Sequence, residues 1–554
     1  MSPTPGDEPA GALVRATDLT VHYPGRGTAT LTELSLALAP GDRVLLLGPS
    51  GAGKTTLLLS LAGIIPQAIY AQTTGSITVG DLDALRTPPA TLARTIGLLF
   101  QDPDAQLCMP TVEEEVAFGL ENLGVSPDVM EPRIRSALDA VRLTSRLAMR
   151  IDRLSGGLRQ RLALADLLAM ASPVLLLDEP TAHLDPQGTR EFFEALGQIA
   201  PTSLLLVEHK LEHVVSLVTR VVALSAEGRV LAEGPPATIF GVHAPLLEAT
   251  GIWLPPAARI AREAGLDTRI LAFDQLATAV RGSPDAARKV AQVLPVPRRP
   301  IVPGKDALSV SALSYTYPRG VHALHEITLH VTKGDFLAVV GANGSGKTTL
   351  ALHLVGILPP PPGCVKVLGQ DMAEIPPRKI PSLIGYVFQN PEHQFIAETV
   401  LDEVRHTLRQ RGFDESTATT EARNMLAAYQ LGPEDLHPYQ LSQGAKRRLS
   451  VLTALAAAPQ ILVLDEPTFG QDARTNAALL RELVRLNEQG LTVLMITHDM
   501  DAVGQFARSV AIMRDGQITH RGAIADLPHY RTQLDEAGLE LPFAMRVRAL
   551  VSDA

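Results

Sequence analysis

Short apolar runs recur along this chain, each closed by a polar cluster. Residues 44–47 are Val-Leu-Leu-Leu, followed by a glycine-rich turn and then a leucine-rich stretch of helical length. Residues 174–177, 204–207, 461–464 and 492–496 are similar runs of aliphatic residues. Runs this short with no polar alternation predict strands buried on both faces, as in parallel sheets. The polar residues fall directly after each run, at the carboxyl end where open α/β sheets bind ligands. No apolar run reaches the roughly 18 residues that a membrane span needs.

The pattern occurs twice. Gly-Pro-Ser-Gly-Ala-Gly-Lys-Thr-Thr at 48–56 returns as Gly-Ala-Asn-Gly-Ser-Gly-Lys-Thr-Thr at 341–349. Phe-Gln-Asp-Pro-Asp-Ala-Gln at 100–106 returns as Phe-Gln-Asn-Pro-Glu-His-Gln at 388–394, and Leu-Leu-Leu-Asp-Glu-Pro-Thr at 175–181 as Leu-Val-Leu-Asp-Glu-Pro-Thr at 462–468. The spacing between copies drifts by only a few residues, so one domain has been copied whole. Residues 251–260 also resemble 538–547, which predicts a C-terminal helical extension on each copy. A Pro-rich join at 294–305 favours an extended, semi-rigid spacer. The expected layout is a disordered tail (1–11), a first domain (12–242), its extension (243–293), the linker (294–305), a second domain (306–529) and its extension (530–554).

Composition narrows the class. Of 554 residues, 46% are apolar and 19% charged, as expected of folded domains rather than disorder. The net charge of −10 argues against a dedicated nucleic-acid binder. Cys108 and Cys364 lie in no C-x-x-C pattern and read as free thiols. Residues 1–11 lack the basic and apolar stretches of a secretory signal.

Two matches to G-x-x-x-x-G-K-[ST] carry the first chemistry. Gly48, Ser50, Gly51, Ala52, Gly53, Lys54, Thr55 and Thr56 form one loop; Gly341, Asn343, Gly344, Ser345, Gly346, Lys347, Thr348 and Thr349 form the other. Glycines let successive N–H groups face one phosphate, and the helix that follows adds its positive end. Lys54 and Lys347 then reach the β- and γ-phosphates, and Thr55 and Thr348 ligate Mg²⁺. Asp178 and Asp465 end apolar strands where a carboxylate can complete the metal shell. Glu179 and Glu466, next in the chain, can take a proton from an attacking water or orient it.

Leu154-Ser155-Gly156-Gly157 and Leu441-Ser442-Gln443-Gly444 stand between the phosphate loop and the acidic pair in each copy. These resemble the signature of ATP-binding-cassette ATPases. The resemblance implies an α/β fold of two cassettes, each with a RecA-like core, an antiparallel β subdomain and a helical signature subdomain. It also implies roles for Gln101 and Gln389 beside Mg²⁺, for His209 and His498 as switch histidines, for Asp185 and Asp472 across the cassette pair, and for Tyr23 and Tyr317 on adenine. By the same resemblance the cassettes pair within the chain, head to tail. One site then joins Lys54 to Ser442, and the other Lys347 to Ser155. Gln443, where the signature usually has glycine, predicts that the Lys54 site is the slower.

After each glutamine the chain reads Q-x-P-[DE]-x-Q, then T-V-x-x-E-V, at 101–116 and 389–404. This resembles the ATPases of energy-coupling-factor importers, which take up vitamins and transition-metal ions. It implies a transmembrane coupling protein and small substrate-binding membrane proteins as partners, at the cytoplasmic face of a membrane. The same residues also read as helix-capping sequences. A sugar-type importer ATPase, or a paired cassette acting on ribosomes or DNA, remains as an alternative. Arg405 differs from Ala117 at the matching place and is expected to alter the grip on a membrane partner. Lys446, Arg447 and Arg448 read as a solvated helix face, not a nucleic-acid site.

Overall fold

The computed structural model describes residues 11–25, 27–182, 184–198, 202–301, 304–318, 320–468 and 470–552. The tail expected at 1–11 lies almost wholly outside them. Two compact units divide the chain, the first running through Val293 and the second beginning at Leu294.

In the first unit a six-stranded sheet has the order Val230–Gly234, Arg220–Leu224, Arg43–Leu47, Ser203–Val207, Val174–Asp178, Ile96–Leu99. All its pairings are parallel except that of the edge strand Val230–Gly234. The central strands are buried along their whole length, which is why their sequences are unbroken aliphatic runs. A four-stranded antiparallel sheet carries Leu31–Leu38, Val14–His22, Gln72–Val79 and Leu82–Asp83. Its core is shared with one face of the larger sheet, through Leu46, Leu176 and Leu205 among others. The helices Val112–Asn122, Pro127–Ala140 and Gly156–Met170 form a third layer packed into the core on the opposite face. Ile252, Leu254, Ala258 and Leu271 bury into that same core, so the region after 243 is no free appendage.

The second unit repeats the plan. Its six-stranded sheet runs Ile384–Val387, Ile461–Asp465, Thr492–Thr497, Phe336–Val340, Ser509–Arg514, Gln517–Ala523, and again only the last strand is antiparallel. Val400–Gln410, Glu415–Ala428 and Gln443–Ala456 build its helical layer around a separate cluster that includes Val404, Leu426 and Leu452. Leu534, Leu539 and Met545 from the C-terminal helices enter the core beneath the sheet.

Candidate functional site: two nucleotide-binding loops and their acids

Four neighbouring parallel strands in each unit end at the same edge, and each delivers one part of a site. In the first unit Arg43–Leu47 leads into the phosphate loop and Val174–Asp178 ends on Asp178. Ser203–Val207 precedes His209, and Ile96–Leu99 precedes Gln101. Parallel pairing sets Asp178 beside Val207 and Asp465 beside Ile496, so the motifs converge although they are far apart in the chain.

The loops are shaped for an anion. Gly53 and Gly346 hold φ of 86° and 97° at the N-cap of the helices Lys54–Leu61 and Lys347–Leu354. A Cβ at Gly53 would lie 2.5 Å from Leu31 Cδ2, and one at Gly346 2.5 Å from the Ala323 carbonyl, so neither position admits another residue. Lys54 Nζ donates to the carbonyls of Gly48 and Pro49 at 2.9 and 3.1 Å, and Lys347 Nζ to those of Gly341 and Ala342 at 2.8 and 2.9 Å. Each ammonium thus sits inside its own loop. Burial lowers the Lys54 pKa, opposed by Glu179 and Asp178 nearby. Tyr23 Oη lies 3.2 Å from Thr56 Oγ1 and Tyr317 Oη 3.1 Å from Thr349 Oγ1, so both tyrosines stand over the first turn of the loop helix.

Burial raises the Asp178 carboxyl from 3.8 to about 6, against the hydrogen bond from Thr55. Asp465 behaves alike, also reaching about 6 against the bond from Thr348. Its Oδ1 is buried without a hydrogen-bond partner. Two adjacent buried acids, a hydroxyl and a spare carboxylate oxygen make a hard-oxygen donor set that suits a divalent cation such as Mg²⁺.

Glu179 and Glu466 occupy left-handed backbone, with φ of 44° and 46°. A non-glycine residue there costs on the order of 1–3 kcal/mol. The neighbouring strand fixes it: Glu179 N–H donates to the Val207 carbonyl at 3.0 Å and Glu466 N–H to the Ile496 carbonyl at 2.8 Å. The Glu179 carboxylate accepts from Gln101 Nε2 at 2.9 Å and meets His209 Nε2 at 2.9 Å. Glu466 accepts from Thr497 Oγ1 at 2.9 Å and meets His498 Nδ1 at 2.8 Å. Burial alone works against the Glu466 charge; His498, with Lys347 and Thr497, outweighs it and holds the carboxyl below its ordinary value.

A family model described as "ABC transporter" matches residues 31–182 and 324–469. The chain belongs to the ABC transporter ATP-binding family. It is an ATPase, with tandem cassettes of that family's α/β fold. A relative from Methanosarcina acetivorans, provisionally named an ABC transporter ATP-binding protein, is 35% identical over 96% of this chain and 89% of its own length. One from Bacillus subtilis, provisionally named HMP/thiamine import ATP-binding protein YkoD, is 34% identical over 96% of this chain and 95% of its own. The solved cbiO1 from Clostridium perfringens, described as part of the ABC transporter complex cbiONQ, is 28% identical. That match covers 45% of this chain and 100% of its own, with a TM-score of 0.38.

The ABC signature serines cap their helices: Ser155 Oγ accepts from the Leu158 N–H and Ser442 Oγ from the Ala445 N–H, both at 3.4 Å. Gln443 is exposed beside Ser442, and Gly444 is buried. At Gly156 a Cβ would meet nothing within 4 Å, so its own cassette does not require glycine there. Asp185 caps the helix Pro186–Gly197 by accepting from the Gly188 N–H at 2.8 Å.

One expectation is overturned. Lys446 and Arg447 are not a solvated face; both are buried. Lys446 pairs with Glu392, the acid of Q-x-P-[DE], as Arg159 pairs with Asp104 in the first cassette. Arg447, 2% exposed, donates to the carbonyls of Phe388 and Gln389. The basic run fooled the sequence reading because a signature helix turns its first basic residues inward, toward the glutamine loop. Arg405 is likewise spent locally, in ion pairs with Asp402 and Glu415.

Tyr386 and Glu208 escaped sequence reasoning, as did the contacts made by Glu115 and Glu403, the acids of the T-V-x-x-E-V motif. Glu115 is buried and accepts from the Cys108 and Met109 N–H groups; Glu403 does the same for Ile396 and Ala397. Tyr386 Oη donates to Asp465 Oδ2 at 3.2 Å. Buried Glu208 bonds Thr181 and the backbone N–H groups of His209 and Lys210. The available signal was polar residues at apolar-strand or helix-core positions. Both cysteines are free thiols. Among the described residues, no helix is long and apolar enough to cross a membrane.

Proposed function

We propose that this chain is the ATPase pair of a membrane importer of the energy-coupling-factor type, driving uptake of a vitamin, a vitamin precursor or a transition-metal ion. The observation that carries the reading is the doubled segment after Gln101 and Gln389. Its polar residues make internal contacts: the acids Asp104 and Glu392 tie to the signature helix, Thr111 and Thr399 cap the next helix, and Glu115 and Glu403 clamp the loop. A loop fixed at so many points can present apolar residues such as Ile396, 71% exposed, without collapsing onto its own core. The provisional name of the Bacillus subtilis relative, an HMP/thiamine import ATP-binding protein, supports the same reading.

In each cassette the phosphate-loop N–H groups and Lys54 or Lys347 bind the phosphates, and Tyr23 or Tyr317 packs on the adenine. Thr55, Gln101 and Asp178, or Thr348, Gln389 and Asp465, would hold Mg²⁺. Bound there, the ion neutralises phosphate charge. Glu179 and Glu466 orient the attacking water and accept its proton, while His209 and His498 hold the carboxylates and meet the γ-phosphate. Ser155 and Ser442, with Gly156, Gly157, Gln443 and Gly444 behind them, contact the γ-phosphate, following the sequence resemblance. The partners are a transmembrane coupling protein and small substrate-binding membrane proteins, reached from the cytoplasmic face.

Affinity capture of the chain from mildly solubilised native membranes, with mass spectrometry of what is bound, tests this. Recovery of a multi-span membrane protein with a small membrane protein is the expected result. Recovery of ribosomes or DNA-repair factors without membrane protein would overturn the importer assignment and leave the ATPase intact.

A further inference from the structure

Around its magnesium acid the second cassette carries a half-buried tyrosine and a buried arginine that the first lacks. Tyr386 stands in the strand Ile384–Val387 where Leu98 stands in Ile96–Leu99. Arg447 stands on the signature helix where Gln160 stands in the first. Tyr386 Oη reaches Asp465 Oδ2 at 3.2 Å, and its ring meets Phe388 edge-on at 4.6 Å. Arg447 ties the Phe388 and Gln389 carbonyls to the signature helix. Gln160, 1% exposed, has neither amide atom hydrogen-bonded. In the first cassette the glutamine-loop backbone therefore lacks this anchor from the signature helix.

We propose that Tyr386 and Arg447 are positioning residues for the magnesium side of the second cassette. Tyr386 turns Asp465 so that its unpartnered Oδ1 is presented to the ion. Arg447 fixes the backbone from which Gln389 approaches. The phenol occupies one carboxylate oxygen and leaves the other, so the acid enters coordination in one orientation. Groups that orient a metal ligand from behind typically govern affinity by 10–100-fold. A guanidinium gripping two successive carbonyls holds a loop that a neutral amide in the same place does not. The inference rests on the magnesium–nucleotide reading given above and adds an asymmetry to it.

Manganese binding to the full-length protein saturated with ADP tests the proposal, read from the paramagnetic signal of the free ion. Wild-type protein is expected to bind two ions. Tyr386→Phe should weaken one by about 10-fold and leave the other unchanged. Arg447→Gln should speed hydrogen exchange across 388–395, with Arg447→Lys restoring part of the protection. Tyr386→Phe with both affinities at wild-type values, or Arg447→Gln with unchanged exchange, would overturn the assignment. Wild-type protein that binds no nucleotide-dependent manganese would overturn the ATP-site reading itself, and this inference with it.

Discussion

Both cassettes bring a glutamate to the end of the same strand, yet they hold it differently. Glu179 is gripped by Gln101 and His209, Glu466 by Thr497 and His498. The histidines even use different ring nitrogens, Nε2 in the first and Nδ1 in the second. Where the second cassette has Thr497, the first has Glu208, whose carboxylate bonds Thr181 and nearby backbone instead. The chemistry demands one orientation of one carboxylate, and the fold offers more than one neighbour to impose it. Glu179 is held by a loop that leads into the helical layer. Glu466 is held by two residues at the end of a core strand. The first glutamate is therefore sensitive to movement of its glutamine loop, and the second is insulated from it.

Removing the glutamates breaks the comparison most severely. Glu179→Gln with Glu466→Gln together should reduce phosphate release by about 100-fold or more, the scale of losing a general base. Nucleotide binding, measured by equilibrium titration, should survive. The single variants sharpen the comparison. Glu466→Gln should cost most of the turnover if Gln443 slows the Lys54 site, as the signature resemblance implies. Equal losses from the two single variants would end the case for asymmetry.

The two strand-end aspartates give the next largest effect. Asp178 and Asp465 both lie near 6 in the folded, nucleotide-free protein because burial disfavours their charge. A carboxyl raised above its unfolded value holds its proton more tightly when folded. Its contribution to stability is then full below about pH 4, falls as pH rises toward about 6, and stays low above that. At 1.36 kcal/mol per unit the cost is roughly 2–3 kcal/mol for each acid at neutral pH. Asp178→Asn and Asp465→Asn should each melt several degrees above wild type at pH 7.5 without nucleotide. The gap should narrow to about a third of that at pH 4.5 and close only below about pH 4. Parallel melting curves across that range, by calorimetry in chelator, would show that burial does not tax these groups.

The sequence revealed the site more fully than it revealed the site's supports. Phosphate loops and paired acids stand out because chemistry demands those types at strand ends, whereas the flanking glutamines and histidines were legible only through the family resemblance. The parallel order of strands was legible in the aliphatic runs at 174–177 and 461–464, which only two-sided burial explains. Arg447 was not, because a basic residue flanked by two others looks like a wet helix face until the packing is seen. Glu115 and Glu403 were hidden for a similar reason: an acid in the first turn of a helix reads as a dipole partner, whereas these fold back onto the preceding loop. The choice of nitrogen at His209 and His498 depends on rotamers set by neighbours, which no local pattern encodes.

The smallest effect concerns Gln443. At Gly156, its counterpart, a Cβ would meet nothing within 4 Å, so the first cassette's own fold does not require glycine there. The glutamine, exposed beside the Ser442 cap, can matter only for what approaches from outside, which the signature resemblance implies is a phosphate. Gln443→Gly, made on a Glu466→Gln background so that only the Lys54 site turns over, should raise phosphate release about two- to fivefold, roughly 0.4–1 kcal/mol of barrier. Stability should fall by no more than the roughly 1 kcal/mol that a glycine costs inside a helix. A rate left unchanged would mean that the side chain folds aside when nucleotide binds, and that the two cassettes differ in how they hold their glutamates but not in how fast they work.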